Sequence, residues 1–524
     1  MFEVLEWLSA SWSPLSFLLS VFVIAVFSIT AAFIFVLGRA YTHVRNFDGP
    51  PCHLIKGHLE QATFDGQGLR FHQKCTELYK TAYRIWFGPL KSAVVLCHPD
   101  AVKPLLRTTF KDRTVSHLLA AFLGVGLGLQ EGERWKNTRR LLTPAFHFET
   151  IQPYIKIFQE SADVLLAKWA SSPNSEVELF HDIELLTFDS ILKCAFSYWS
   201  DCQVKRPDSF MRAVQENTQA IMDRFRRPLH HSDFVYNLTS AGRKFKKNTE
   251  IVGRKADEII KKRRQALMER PEEEALRRQE HFDFLDILLE ARRDDGQGLT
   301  DEEIRAEVRT FMFAGLETVT SAISWILYCL ALHPEHQRKC RQEIDLLFEN
   351  GNDLHRGNLC NVPHLKLCIH ESMRLYSPVP IICRLSDKEY EIQGRTLPSG
   401  TFLYVNIFAL HRNPHIWKNP EVFDPLRFTE ENIQKRPSHA FIPFSSGRRN
   451  CIGQNFAMTE IKSTIAMILH RFELTVSKDS MVSMDDLLTV LALRSKNGLK
   501  ININPRDNNH NTPTVSFEQA HIKC

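Results

Sequence analysis

The hydrophobic pattern divides the chain into an apolar segment near its start and a long, mainly helical remainder. Residues 15–37 carry no charge, and a helix of that length spans about 34 Å, which is enough to cross a bilayer. Residues 300–303 read Thr-Asp-Glu-Glu, a helix-starting capping box, and a proline-free and mostly apolar run follows as far as His333. Short β-signals cover 93–97 and 390–393. The pattern predicts a mostly α-helical fold with small β-sheets.

The apolar segment is interpreted as an N-terminal membrane anchor. Glu3 and Glu6 precede it, whereas Arg39 and Arg45 follow it, and this asymmetry places the bulk of the protein in the cytoplasm. A cleaved signal peptide is the alternative, but the run is long for a signal peptide and lacks a preceding basic region. No other stretch is expected to span a bilayer. The predicted division is a luminal segment 1–14, an anchor 15–37, a proline-rich hinge 38–60, one folded domain 61–505 and a disordered tail 506–524.

The composition excludes several classes of protein. A net charge of +5 over 524 residues is weak and does not indicate nucleic-acid binding. An apolar fraction of 44% with 24% charged residues is typical of a globular protein. No zinc-finger spacing, Walker loop or Rossmann glycine pattern occurs, so no nucleotide domain is expected. The 12 cysteines are scattered without a Cys-x-x-Cys pair, and they are predicted to be free thiols apart from one ligand.

The segment 444–453, Phe-Ser-Ser-Gly-Arg-Arg-Asn-Cys-Ile-Gly, contains the cysteine that is predicted to be this ligand. Gly447 and Gly453 remove side chains, so that the backbone can turn and approach a neighbour closely. Cys451 precedes an amphipathic run at 454–471, and a helix N-terminus there is expected to lower the pKa of the thiol. A thiolate in this setting suits axial ligation of haem iron. For an isolated cysteine the alternative is a buried free thiol.

This segment resembles the Phe-x-x-Gly-x-Arg-x-Cys-x-Gly motif of the cytochromes P450. Four further segments resemble that family, in the family's order: Trp-x-x-x-Arg at Trp135 and Arg139, Ala-Gly-x-Glu-Thr at 314–318, Glu-x-x-Arg at Glu371 and Arg374, and the meander 423–428 that contains Arg427. The resemblance covers almost the whole chain after the anchor. It implies the cytochrome P450 fold and identifies 61–505 as a haem-thiolate catalytic domain with haem b.

The resemblance also implies which residues surround the haem. Cys451 would bind the iron, and the residues against the haem would be Phe444, Gly447, Gly453, Ala314 and Gly315. The haem propionates would be bound by Trp135, Arg139, Arg384 and Arg449, since guanidinium is a forked donor to carboxylates.

Two more sets of residues take implied roles. Thr318 would hydrogen-bond dioxygen and Glu317 would relay protons; the alternative for an isolated segment is a glycine for close helix packing and a threonine bonded back to a carbonyl. A buried ion network behind the cysteine loop would consist of Glu371, Arg374 and Arg427.

The resemblance is closest to the microsomal fatty-acid ω-hydroxylase branch of the family. It implies monooxygenation of a lipophilic substrate, with electrons from NADPH through a separate membrane-bound reductase, cytochrome b5 as a possible second donor, and a location in the endoplasmic reticulum membrane. A sterol or xenobiotic hydroxylase, a reductase-independent peroxide-rearranging enzyme and a non-enzymatic haem-binding membrane protein remain alternatives. The sequence does not identify the lipid or the carbon that is oxidised.

One position departs from the ω-hydroxylase branch. Many of its members have Glu immediately before the helix glycine, and that carboxylate can form an ester with a haem methyl. This chain has Ala314 there. The haem is therefore predicted to be bound non-covalently.

Overall fold

The computed structural model of the protein describes residues 14–89, 91–205, 208–269, 271–274, 282–292, 296–349 and 354–506. Within these ranges the longer helices are α1 (Pro14–Val44), α2 (Gly66–Tyr79), α3 (Arg113–Leu123), α4 (Gly132–Leu142), α5 (Tyr154–Ala170), α6 (Leu179–Phe196), α7 (Asp208–Arg226), α8 (Ser240–Glu269), α9 (Phe284–Glu290), α10 (Asp301–Leu332), α11 (Pro334–Phe348), α12 (Pro363–Leu375) and α13 (Gln454–Arg471).

Short helices connect these elements. The α-helical ones are Pro99–Val102, Phe148–Ile151, Cys202–Lys205, Asp233–Leu238, Arg356–Leu359, Ile407–Leu410 and Glu430–Gln434. The 3-10 helices are Lys103–Arg107, Thr143–Phe146, Pro228–His231, Pro425–Phe428, Gly447–Arg449, Lys478–Ser480 and Met484–Asp486.

The strands are short and form small sheets. They are β1 (Ala82–Trp86), β2 (Ser92–Leu96), β3 (Ser175–Glu178), β4 (Ile381–Leu385), β5 (Tyr390–Ile392), β6 (Arg395–Leu397), β7 (Phe402–Asn406), β8 (Phe472–Thr475), β9 (Leu487–Val490), β10 (Ala492–Ser495) and β11 (Lys500–Pro505). In the described part of the chain the sheet orders are β1-β2-β7-β4, β3-β11-β8, β9-β10 and β5-β6, and only β2 and β7 pair in parallel. The predicted fold class, mostly α with small sheets, is confirmed.

Helix α10 runs through the core and begins and ends as its sequence predicts. The Thr300 hydroxyl accepts the backbone N–H of Glu303, and the Glu303 carboxylate accepts the N–H of Thr300 at 3.0 Å, which completes the capping box. The helix ends at Leu332, before Pro334 starts α11. It packs against α6, α12 and α13, and its C-terminal half is almost entirely buried.

Helix α1 is the exposed apolar helix that the sequence predicts as an anchor. Its residues 15–44 have a mean hydropathy of 2.7 in the most apolar window, and none of that window is buried. The helix extends past the predicted end of the anchor to Val44, which packs with Phe47 against Val94 of the first sheet. The first part of the predicted hinge is therefore helical.

A second helix is long and apolar enough to span a bilayer, and the C-terminal tail begins with an ordered arginine. The statement that no other stretch could span a bilayer is wrong by hydropathy, because residues 301–332 also pass that test, yet 83% of their apolar window is buried in the protein. The predicted tail begins at Arg506, whose guanidinium binds the Asp345 carboxylate at 2.8 and 2.9 Å. The rest of the predicted tail lies outside the described residues.

Candidate active site

The loop before α13 folds around a glycine at 447. Gly447 has φ +74°, and an added Cβ would lie 2.2 Å from the carbonyl oxygen of Leu106, so a side chain is excluded by both backbone conformation and space. The Cys451 N–H donates to the Phe444 carbonyl at 2.9 Å and closes the loop. Gly453 behaves differently: its φ is negative, and an added Cβ would touch only the Phe146 ring at 3.9 Å. The expected close approach of the backbone to a neighbour is thus confirmed at Gly447, where the neighbour is Leu106. At Gly453 no described protein atom comes that close.

The Cys451 side chain lines a pocket together with Arg139, Phe146 and Asn450. It is exposed to a water-sized molecule, although protein surrounds it closely enough for burial to raise the pKa of its thiol. The Gly453 N–H and Arg139 lower the pKa but do not outweigh burial. The surrounding protein groups therefore contradict the prediction of a lowered thiol pKa. A coordinated metal ion deprotonates a thiol by itself, so the helix N-terminus is not required to do so.

Helix α10 presents a second opening in the middle of its length. Ala314 is exposed and Thr318, one turn later, is partly exposed, while Leu316 and Glu317 are buried. The Thr318 hydroxyl donates to the Ala314 carbonyl at 2.8 Å. An added Cβ on Gly315 would lie 2.8 Å from the Ile191 side chain of α6, so this glycine allows close helix packing. Ala314 and Thr318 therefore form an accessible face in the middle of α10.

The Glu317 carboxylate points into an ion cluster beside that face. Arg494 of β10 donates to Glu317 at 3.1 and 3.3 Å and to Glu184 of α6 at 2.9 Å. Both carboxylates are buried, with side-chain exposures of 3% and 2%. Burial raises the pKa of Glu184 to about 7, against the opposing effect of Arg494. The sequence did not indicate Arg494 or Glu184, because they come from distant elements.

Cationic side chains gather around Arg449, which lies two residues before Cys451. The Arg449 guanidinium lies 4.4 Å from the Trp135 ring and donates to the carbonyls of Thr109, Leu127 and Gln130. Burial first, and then Arg384, lowers the pKa of Arg449 to about 9. Arg384 is itself buried and donates to the Cys383 carbonyl.

Lys111 belongs to the same group. Burial, Arg384 and Arg449 together lower the pKa of its ammonium to about 7. The Glu131 carboxylate accepts the backbone N–H of Lys111. Within the described residues, no ion pair is formed by the side chains of Lys111, Arg384 or Arg449. Buried cations that repel one another are costly unless an anion joins them.

These features fit a haem. The cysteine loop offers an exposed thiol, and α10 offers an exposed face at Ala314 and Thr318. The cations Lys111, Arg384 and Arg449 lack an anionic partner among the described residues, and the two propionates of a haem would supply one. Arg139, another predicted propionate partner, donates to the backbone carbonyl and side-chain oxygen of Asn450 at 2.8 and 3.0 Å. In this structure it braces the cysteine loop.

The Glu371 network lies behind the loop. Arg374 donates to Glu371 at 2.7 and 2.8 Å, and Arg427 lies 3.3 Å from the same carboxylate. Arg374 also binds the carbonyls of His411, Pro420 and Val422. The Asp424 N–H donates to Glu371 at 2.8 Å. The structure thus brings the three predicted residues together and ties them to the meander.

Comparison with known proteins identifies the family. The sequence model of the cytochrome P450 family matches residues 48–501. The chain belongs to the cytochrome P450 family. It is 40% identical over 485 residues to cytochrome P450 4F4 of Rattus norvegicus, with 90% of this chain and 92% of the relative covered. It is 38% identical over 486 residues to leukotriene-B4 omega-hydroxylase 3 of Mus musculus (90% and 92%), and 40% identical over 467 residues to cytochrome P450 4A11 of Homo sapiens (88% and 88%).

The predicted family, fold and enzyme class are confirmed. This P450 is an oxidoreductase, a monooxygenase with haem iron on a cysteine thiolate, a lipophilic substrate and NADPH-derived electrons from a reductase. Besides Arg494, Lys111 is a cation that sequence reasoning missed, and it lies close enough to Arg384 and Arg449 for them to lower its pKa. It lies in Phe-Lys-Asp-Arg at 110–113, and nothing in that segment distinguishes it from a surface lysine.

Proposed function

We propose that this P450 is a membrane-anchored ω-hydroxylase of long-chain fatty acids or eicosanoids. The observation that carries the proposal is the similarity, over 90% of the chain, to a mouse protein named leukotriene-B4 omega-hydroxylase 3. Phe313, which directly precedes Ala314, supports an apolar substrate, because it is partly exposed and packs edge-to-face on Phe122. Apolar walls with few polar groups are typical of lipid pockets.

Cys451 supplies the thiolate ligand of the haem iron in this proposal. The cations Arg384, Arg449 and Lys111 hold the propionates, and Trp135 supports Arg449 through its ring. Haem held by Cys451 would supply the chemistry of O2 activation, in which one oxygen atom would enter a C–H bond and the other would leave as water, with two electrons and two protons consumed. The remaining steps belong to the protein's own side chains.

Thr318 and Glu317 are proposed to deliver the two protons. The Thr318 hydroxyl donates to the Ala314 carbonyl in this structure, and rotation about χ1 would release it from that carbonyl so that it can donate to another acceptor. The Glu317 carboxylate is held by Arg494 together with Glu184, whose pKa of about 7 lets it carry a proton near neutral pH. We propose that this cluster is the proton source and that Thr318 is the last donor.

The haem is proposed to be non-covalent, because Ala314 offers a methyl group where an ester would need a carboxylate. Acid and organic solvent should release intact haem from the polypeptide, as followed by denaturing chromatography with mass spectrometry. Haem that co-elutes with the polypeptide would refute this. Ala314→Glu provides the converse test, since covalent haem after turnover would place position 314 at the haem edge.

Helix α1 is proposed to cross the endoplasmic reticulum membrane once, with residues 1–14 in the lumen and the domain in the cytoplasm. The reductase, and cytochrome b5 as a second donor, would dock on the exposed basic side chains Lys136, Arg140 and Arg448 near the cysteine loop. Protease treatment of sealed microsomes should digest the domain. Protection of the domain would reverse the proposed topology.

The deciding experiment combines a spectrum with turnover. Purified protein should show a thiolate-type carbon monoxide band after reduction, and with added reductase and NADPH it should oxidise a long-chain fatty acid at its terminal carbon. Cys451→Ser should lose both. A thiolate band without NADPH turnover would favour a peroxide-rearranging enzyme, and turnover of sterols alone would contradict the proposed substrate class.

A further inference from the structure

Two histidines and two cysteines meet between α11 and α12, outside the active site. His336 and Cys340 are four residues apart on α11, and His364 and Cys368 are four residues apart on α12. A spacing of four places each pair on one face of its helix. Contacts between His336 and His364, and between Cys340 and Cys368, show that the two faces oppose each other.

Three of the four side chains already bring their ligand atoms together, and two of the distances in the cluster are close to the edges of a tetrahedral metal site. His336 Nδ1 lies 3.1 Å from His364 Nε2, and Cys340 Sγ lies 3.8 Å from Cys368 Sγ. A ring nitrogen of each histidine and the Cys368 sulfur all lie within 4.8 Å of one another. Zinc bonds of about 2.0–2.1 Å to nitrogen and about 2.3 Å to sulfur give N–N and S–S edges of about 3.4 and 3.8 Å.

The surroundings suit a structural site. Cys340 and Cys368 are fully buried, whereas the two histidines are partly exposed and leave a route for an ion. The Glu335 carboxylate lies 3.7 Å from Nε2 of His336, on the ring nitrogen that faces away from His364. The Glu343 carboxylate accepts the backbone N–H groups of His364 and Leu365 and fixes the start of α12. Outer carboxylates of this kind orient metal ligands.

We propose that His336, Cys340, His364 and Cys368 bind one structural Zn²⁺ ion. Two thiolates and two imidazoles select zinc over magnesium or calcium, and the charges of the thiolates and the ion cancel. Four protein ligands leave no open position for catalysis. A rotation of the Cys340 side chain would bring its sulfur into the coordination sphere.

The position of the cluster gives the ion a consequence for the active site. Glu371 and Arg374 follow Cys368 on the same helix, one and two turns later. Zinc would fasten α12 to α11 and so hold the ion network behind the cysteine loop. Loss of zinc should therefore speed up the loss of the thiolate-type carbon monoxide band on warming.

The test uses the full-length haem protein, purified without a histidine tag from zinc-supplemented cells. Elemental analysis should find one zinc per haem after dialysis, and zinc K-edge X-ray absorption should show two sulfur neighbours at about 2.3 Å and two nitrogen neighbours at about 2.0 Å. Cys368→Ser and His364→Ala should lower zinc to the buffer level. Cys194→Ala, which alters a fully buried thiol on α6, should keep it.

Three results would overturn the proposal. The first is haem protein that holds no zinc and takes up none when one equivalent is added. The second is a zinc content that is unchanged in Cys368→Ser. The third is a Cys340–Cys368 disulfide in the protein as purified. If the variants fail to fold, the absorption spectrum of the unmodified protein decides alone, because surface-bound zinc would lack the two sulfur neighbours.

Discussion

Replacing Arg494 by Met tests the ion cluster that surrounds Glu317. Arg494 is the cation shared by Glu317 and Glu184, and its side chain is only 17% exposed. Without it, two buried carboxylates remain together, and among the described residues only Gln215 still donates to the Glu184 carboxylate, at 2.8 Å. Breaking a buried ion pair by removing one partner typically costs about 3–5 kcal/mol. The residual exposure of Arg494 places the expected cost at the lower end, about 3 kcal/mol.

The assay is the rate at which the carbon monoxide band disappears at elevated temperature, because large membrane proteins unfold irreversibly and their stability is measured as a rate. A loss of about 3 kcal/mol corresponds to inactivation about 10- to 100-fold faster, depending on how much of the cluster is already broken in the transition state. The matched control is Arg471→Met. Arg471 pairs with Asp163 at the surface, with exposures of 40% and 51%, so its loss should cost less than about 1 kcal/mol.

A double substitution and the pH dependence make the test sharper. In the background of Glu317→Gln only one buried carboxylate is left, so Arg494→Met should cost about 1–2 kcal/mol less there. Lower pH should also reduce the cost, because burial already raises the pKa of Glu184 to about 7 and removal of the cation favours the protonated form further. If Arg494→Met inactivates no faster than Arg471→Met, the cluster does not stabilise the protein.

Three further outcomes are expected. Gly447→Ala should destabilise the protein by more than about 2 kcal/mol, because it adds a clash with the Leu106 carbonyl to a left-handed backbone conformation. The control is Gly132→Ala: Gly132 has φ +58° in open space, so this substitution should cost only about 1 kcal/mol. Equal thermal stabilities of the two variants would contradict this prediction. Burial raises the pKa of Glu307 to about 7 from 4.5, so the folded protein retains a proton that the unfolded chain loses between these values and stability falls as pH rises through that window. Glu307→Gln should flatten that slope, and an unchanged slope would exclude Glu307. Thr318→Ala should retain the haem but release peroxide instead of product, unlike Thr318→Ser; unchanged coupling of NADPH use to product would remove Thr318 from proton delivery.

The ends of α10 could be predicted from sequence because they depend on local chemistry. The capping box at 300–303 and Pro334 act within one turn, so the order of residues is sufficient to position them. The same holds for the membrane-length run in α1. Hydropathy alone did not separate α1 from α10, because an apolar helix suits lipid and protein core equally, and only packing shows that α10 is buried.

The cysteine loop could be predicted as a motif, and part of its physical explanation could not. Gly447 is required by the carbonyl of Leu106, a residue some 340 positions earlier in the chain. The raised pKa of Cys451 reflects burial by elements that meet only in the folded protein. A motif identifies the residue, whereas its electrostatic environment depends on long-range contacts.

The sequence by itself determined the family and the helical fold, and it predicts the ligand cysteine, since these follow from local patterns and ordered motifs. Only the tertiary structure decided which charges meet. It brought Arg494 to Glu317, joined Lys111 to Arg384 and Arg449, and set His336 and Cys340 against a second His–Cys pair. Electrostatic and metal-binding groups act over a few ångströms, and the residues that come so close are separated along this chain by tens to hundreds of positions.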